Sequence, residues 1–304
     1  MAIALGNIRD LLLPGLMEVT GEYKDLPNLY GKVFKARQSN MAIEKTVQVR
    51  FMPLAQYKTE GGATHFDNNA GERWTYSLEP IEVGLGYSIT RKAIDDNLYK
   101  SQFKPTALGL GKSFNQFWEI QAWSVFNSAT TYNTAIGGDG KALCATDHPY
   151  DYGTWANRPT TDQDLNETSM LNAQVAIRSN FVDEAGLKIY ARANTLVVPN
   201  ALQPVAIRLN KSELRPGTAN NDVSATQFMD EGGHSKYMTV DYLTSNYAWY
   251  YTTNIEGLVQ LNRVAYETDM WVDNVTDNLL VKAYERKFFG YDDPRCIYGS
   301  FPTS

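Results

Sequence analysis

Gly109–Ser113 reads GLGKS, and a Lys-Ser pair behind a glycine is what a phosphate loop uses to hold nucleotide phosphates on backbone N–H groups. The full pattern, G-x-x-x-x-G-K-S, needs a glycine at position 106, where the chain has Thr106. Lys104-Pro105 stands where an apolar strand should lead in, so the stretch reads as the loose start of a helix. Gly84-Leu85-Gly86 is too short for a dinucleotide fingerprint and reads as a bend in a strand. The three histidines, His65, His148 and His234, stand in separate polar stretches without metal-ligand spacing. A metal site would need those stretches to converge, and neither a metal nor a cofactor is expected. Cys144 is close to His148, the pairing a thiol nucleophile would use, but nothing around it marks an activated thiolate. Asp95-Asp96 and Asp292-Asp293 are adjacent carboxylates whose side chains do not converge, so they suit turns and caps better than acid–base work. The sequons at Asn166 and Asn274 read as chance matches. No catalytic constellation emerges, and the chain is not expected to be an enzyme.

The element that must organise the rest is Phe103–Ala129. Phe114, Phe117, Trp118, Ala122, Val125 and Ala129 recur at the spacing of one helical face. Ile120, Trp123 and Phe126 widen that stripe around most of the circumference, which predicts a helix buried on more than one side. Pro105, Gly109 and Gly111 mark a ragged beginning, and Thr130–Gly140 ends it.

Composition bounds what such a core can belong to. The chain of 304 residues is 43% hydrophobic, enough for one large domain or two modest ones. Its 19 tyrosines suit surfaces that are apolar on one side and wet on the other, subunit contacts among them. A net charge of −6 without any basic block argues against sequence-specific nucleic-acid binding. Cys144 and Cys296 are far apart and read as free thiols of a reducing compartment. No apolar run is long enough to cross a bilayer, the N-terminus does not read as a signal peptide, and no membrane partner is expected.

In chain order, residues 1–45 read as an arm with a short helix over Ile3–Leu13, unable to form a core alone. Lys45–Thr90 alternates apolar and polar residues on both sides of a polar tip, Lys58–Glu72. Val47, Val49, Phe51 and Leu54, broken at Pro53, lie on one side; Trp74, Tyr76, Leu78, Ile81, Val83, Leu85, Tyr87 and Ile89 continue on the other. This predicts one long hairpin, of a kind only marginally stable on its own. The pattern leaves two placements open, across a neighbouring subunit or in an ordinary sheet of the same domain. Thr90 should cap a short helix, and a second helix is expected over Asp164–Phe181, capped by Asp164 or Thr168, with Leu165, Met170, Leu171, Val175 and Phe181 inward. Thr195–Val198 is a compact buried strand, followed by a helix over Ala201–Leu209. Short strands are expected at Tyr237–Leu243, Ala248–Thr252, Leu258–Leu261 and Val264–Thr268, then one long extended stretch, Met270–Phe289, and a terminal strand at Arg295–Gly299. The class is α+β with mainly antiparallel strands.

That order of parts resembles the major capsid protein of tailed bacteriophages, most closely the Mu-type major head subunit. KALCATDHP (Lys141–Pro149), FVDEAGLKIYARANTLVVPNALQPVAIRL (Phe181–Leu209) and YERKFFGYDDPRCIYGS (Tyr284–Ser300) carry the resemblance. It implies an N-terminal arm at 1–45, an extended E-loop hairpin at 46–88 and a peripheral P-domain at 89–134 with Phe103–Ala129 as its spine helix. An axial A-domain would follow at 135–255, and return strands of the P-domain at 256–304. The hairpin would lie across a neighbouring copy, with Lys58, Glu60, Glu72, Arg73 and Trp74 at the subunit interface. Charge reversal at Glu72 and Arg73 should then block assembly without unfolding the subunit.

The function implied is a major capsid protein that assembles into pentamers and hexamers of an icosahedral shell around double-stranded DNA. The implied partners are further copies of the chain, a separate scaffolding protein, a portal, a decoration protein and packaged DNA held without sequence preference. The place implied is the virion, with assembly in the bacterial host cytoplasm. A mildly acidic subunit avoids clamping DNA that must later leave. Two alternatives are an encapsulin-like bacterial compartment shell and a hydrolase built on the His148 loop.

Overall fold

The computed structural model describes residues 28–67, 71–95, 99–212 and 236–303. The chain first lays down strands β1 (Lys35–Gln38), β2 (Glu44–Val49), β3 (Glu72–Leu78) and β4 (Ile81–Ile89), then helices α1 (Arg91–Asp95) and α2 (Tyr99–Asn127). Two short strands, β5 (His148–Tyr150) and β6 (Gly153–Trp155), precede α3 (Glu167–Asn180), β7 (Ala193–Pro199) and α4 (Gln203–Lys211). The C-terminal third is β8 (Lys236–Val240), β9 (Trp249–Thr253), β10 (Leu258–Val272), β11 (Leu279–Tyr291) and β12 (Ile297–Ser300).

Strands apolar on both faces need a core on each side. In β7, Val197 joins one core while Leu196 and Val198 join another; in β9, Tyr250 joins the first and Trp249 and Tyr251 the second. These strands are the interior of a four-stranded sheet ordered β12-β9-β7-β8. Its second face is covered by α3 and α4 through Met170, Ala173, Ile177, Ala206 and Leu209. Its first face meets α2, where Tyr250 Oη donates to the Phe126 carbonyl at 3.0 Å and the two rings are in edge contact.

The other four-stranded sheet is ordered β1-β10-β11-β4, with β1 parallel to β10 and the remaining pairs antiparallel. Helix α2 lies on it. Phe114 packs edge-on to Tyr266 and Trp118 against Phe289. Phe114, Trp118 and Phe126 are fully buried, and each such burial stabilises by about 2–3 kcal/mol.

Several elements differ from the sequence reading. Helix α2 begins at Tyr99 and runs through Pro105, Gly109 and Gly111 without a break, because Leu110 and Phe114 pack on Ala283 of β11. That burial outweighs the roughly 1 kcal/mol each glycine costs in a helix. Ile120 is exposed, so the helix keeps one open face. The alternation from Trp74 to Ile89 is not one hairpin arm: at Glu79-Pro80 the chain leaves the hairpin, and β4 becomes the edge partner of β11. Helix α3 is capped by Asn166 in a reciprocal box with Ser169, and Val175 points outward while Ala173 and Ile177 take the inward face. The two short strands expected over 258–268 are one bulged strand, and Met270–Phe289 contains a turn at Asp273–Asn278 rather than a single extended run. Part of the expected arm, β1, belongs to the β10 sheet, and the terminal strand β12 pairs with β9. The expected helix over Ile3–Leu13 lies outside the described residues.

Candidate subunit interface

The hairpin is anchored at its base and bare at its tip. Strands β2 and β3 pair from Glu44↔Leu78 to Val49↔Glu72, with a register shift after Val47. At the base Tyr76 and Leu78 are buried in the first core, Tyr76 edge-on to Tyr291. The 136–138 loop continues the pairing: Ser77 N–H donates to the Ile136 carbonyl at 2.7 Å and Gly138 N–H to the Thr75 carbonyl at 3.0 Å. Gly138 has φ +93°, and a Cβ there would stand 2.3 Å from the Tyr76 ring, so only glycine allows this approach. Further out, Arg50 and Arg73 both ion-pair with Asp151, and Gln48 Nε2 donates to the Asp292 carbonyl at 3.2 Å.

Beyond Arg50 the chain exposes large apolar side chains. Phe51, Met52, Leu54, Tyr57 and Phe66 are all exposed, Tyr57 at 95% and Phe66 at 78%. Singly exposed apolar residues are ordinary, but five in the loop between β2 and β3 make it the candidate docking surface. Of the sequence-predicted interface residues, Lys58, Glu60 and Glu72 are exposed. Lys58 Nζ reaches no further than Thr64 Oγ1 of its own loop, at 3.3 Å. Arg73 is engaged inside the chain, on Asp151 and Glu184, with its guanidinium 4.9 Å above the Trp74 ring. Trp74 is half-buried against the first core. Charge reversal at Arg73 would therefore damage the subunit itself. The apolar tip residues were absent from that selection, although their signal is in the sequence: five large apolar side chains in a loop rich in Gly, Thr and Asn.

The residues with chemical potential are structural. Gly109–Ser113 lies inside α2, and Gly86 stands where a Cβ would be 2.6 Å from the Val281 carbonyl of β11. His148 is buried and stacked on Trp155, with Nδ1 2.6 Å from Asp139 Oδ2 and Nε2 3.1 Å from Asn157 Oδ1. Asn157 Nδ2 in turn donates to the carbonyls of Leu143 and Pro294, so this polar chain ends on backbone oxygens and not on a nucleophile. Burial pushes the Cys144 and Cys296 thiols up, which disfavours a thiolate at either. Among the described residues no group of His, Cys, Asp or Glu is arranged to hold a metal ion, and no helix is long and apolar enough to cross a membrane. His65 lies in the tip; His234 is outside the described residues.

The sequence pattern of the phage capsid protein family matches residues 76–300, and the chain belongs to that family. Its role is that of a shell protein of the virion capsid. No curated protein matches the chain. Among solved structures, the procapsid of bacteriophage JBD30 is similar over 99% of this chain and 77% of that one, at 13% identity and TM-score 0.53. The capsid of the native GTA particle is similar over 91% and 92%, at 10% identity and TM-score 0.58. The virus-like particle from Pyrococcus furiosus is similar over 95% and 96%, at 7% identity and TM-score 0.53. At these identities the likeness is one of fold. The family match, not the fold, favours the phage capsid over a compartment shell.

Proposed function

We propose that this chain is a major capsid subunit of the Mu type, which builds fivefold and sixfold rings by laying its β2–β3 hairpin tip on a neighbouring copy. The observation that carries the reading is the exposed cluster Phe51, Met52, Leu54, Tyr57 and Phe66, on an arm fastened to its own subunit at the base. A monomer leaving such a patch in water forgoes on the order of 1.5–3 kcal/mol per side chain, which docking on a second copy recovers. Lys58, Glu60 and Glu72 form the polar rim of that contact.

On this reading residues 1–45 are the arm and 46–88 the E-loop region, of which the free hairpin ends at Leu78. Residues 89–134 and 256–304 form the peripheral domain around α2, and 135–255 the axial domain. A separate scaffolding protein directs assembly in the host cytoplasm, a portal occupies one vertex, a decoration protein can bind outside, and packaged DNA is contacted without sequence preference. The net charge of −6 supports weak rather than tight DNA contact. Light scattering and negative-stain microscopy on the purified chain, with and without its neighbouring genes co-expressed, test the proposal. Closed shells, rings or tubes of capsomers are expected; a monomer under every condition would overturn it.

A further inference from the structure

Where the hairpin leaves the body of the subunit, both of its arms converge on one carboxylate. Arg50 follows β2 and Arg73 lies in β3, and they take the two oxygens of Asp151 separately. Asp151, in the turn between β5 and β6, is itself held by its N–H on the Glu184 carbonyl at 3.2 Å. Arg73 also reaches the Glu184 carbonyl at 3.3 Å and its carboxylate at 3.5 Å. Glu184 is held from the other side by Arg295 at 2.5 Å, and Arg295 donates to the Val182 carbonyl at 2.8 Å and pairs with Asp293 at 3.4 Å. Three guanidinium groups thus balance three carboxylates. The side chains of Arg50, Arg73, Asp151, Glu184 and Arg295 are between 3% and 19% exposed, too withdrawn from water for salt to screen them fully.

Besides this cluster, the hairpin is held by the backbone pairing of Thr75 and Ser77 with the 136–138 loop, by the buried Tyr76 and Leu78 at its base, and by Gln48 Nε2 on the Asp292 carbonyl. A fixed base acts as an axle, and a charged contact further out limits the swing about it. We propose that Asp151, backed by Glu184 and Arg295, is an angular lock that sets the direction in which the β2–β3 hairpin projects from its own subunit. The lock is a property of the single chain. Its consequence, that shells of regular geometry need it, rests on the assembly reading above.

Spin labels at Thr59→Cys in the tip and Val175→Cys on α3 report the hairpin direction through their distance distribution, read by pulsed electron resonance on dissociated subunits. The native Cys144 and Cys296 are buried and take no label. Asp151→Ala should broaden the Thr59–Val175 distribution about twofold and Arg50→Gln should broaden it by less, since Arg73 keeps its partner. A control pair inside the body, Ile120→Cys with Val175→Cys, should keep its width in both. An unchanged tip distribution in a folded Asp151→Ala chain overturns the lock, as does equal broadening of the control pair. Should Asp151→Ala not fold, an unchanged distribution in Arg50→Gln overturns it alone. Broadened tips together with an inability of the wild-type chain to assemble would leave the lock standing and sink the shell reading instead.

Discussion

Trp118 donates its indole N–H to the Glu285 carboxylate at 2.5 Å, across the contact between α2 and β11. The other carboxylate oxygen ion-pairs with Lys287, and Glu285 is only 1% exposed. A buried carboxylate with both oxygens engaged costs little, but removing it strands an indole N–H and an ammonium group. Glu285→Ala should therefore destabilise the subunit by about 3 kcal/mol in urea unfolding followed by tryptophan fluorescence. Glu285→Gln, which still accepts from Trp118, should cost clearly less. Equal losses for the two would show that the Trp118 bond contributes little.

Gly138 and Gly140 both have positive φ, +93° and +79°, yet their surroundings differ. An alanine at either must enter the left-handed region, at about 1–2 kcal/mol. At Gly138 the new methyl also collides with the Tyr76 ring and must displace the base of the hairpin, whereas at Gly140 it meets open space. Gly138→Ala should lower the thermal midpoint by several degrees more than Gly140→Ala. Matching shifts would mean that Tyr76 does not need its present seat.

Burial raises the Tyr30, Tyr266 and Tyr298 phenols from the ordinary 10 to about 12, with a nearby carboxylate adding to the effect at each. The folded state favours the neutral phenol. Below about pH 10 both states are protonated and this stability is fully present. Between 10 and 12 only the unfolded chain loses protons, so stability falls as pH rises, by about 1.4 kcal/mol per pH unit for each such group. The unfolding midpoint in urea should be flat from pH 8 to 9.5 and drop steeply above 10. Phenolate absorbance should show these tyrosines ionising only as the fold is lost; a single transition of all tyrosines near 10 in the folded chain would contradict it.

How much of this was legible in the sequence follows from which forces each pattern reports. The stripe Phe114, Trp118, Ala122, Val125 named buried positions correctly, because that part of α2 is packed into the core. The glycines and Pro105 at its start misled, since local propensity is weak against the packing of Leu110 and Phe114 on β11. Period-2 alternation marked β3 and β4 as strands but not their partners. Pairing is decided by long-range contact, and only Glu79-Pro80 hints that the chain changes sheets. The interface residues fared worst: Arg73 looks exposed in a polar tip until Asp151 and Glu184 arrive from far along the chain. The apolar tip was visible in composition, but whether five such side chains are buried or bare is a tertiary fact.

The central claim is that the hairpin tip is a contact with another copy. Replacing Leu54, Tyr57 and Phe66 with serine removes the three most exposed of the five apolar tip side chains, at 72%, 95% and 78%. Such changes should leave the stability of the isolated subunit within about 0.5 kcal/mol each. Under conditions where the wild-type chain assembles, sedimentation velocity should find the triple variant as folded, unassembled subunits. Closed shells from the variant in normal yield would contradict the account.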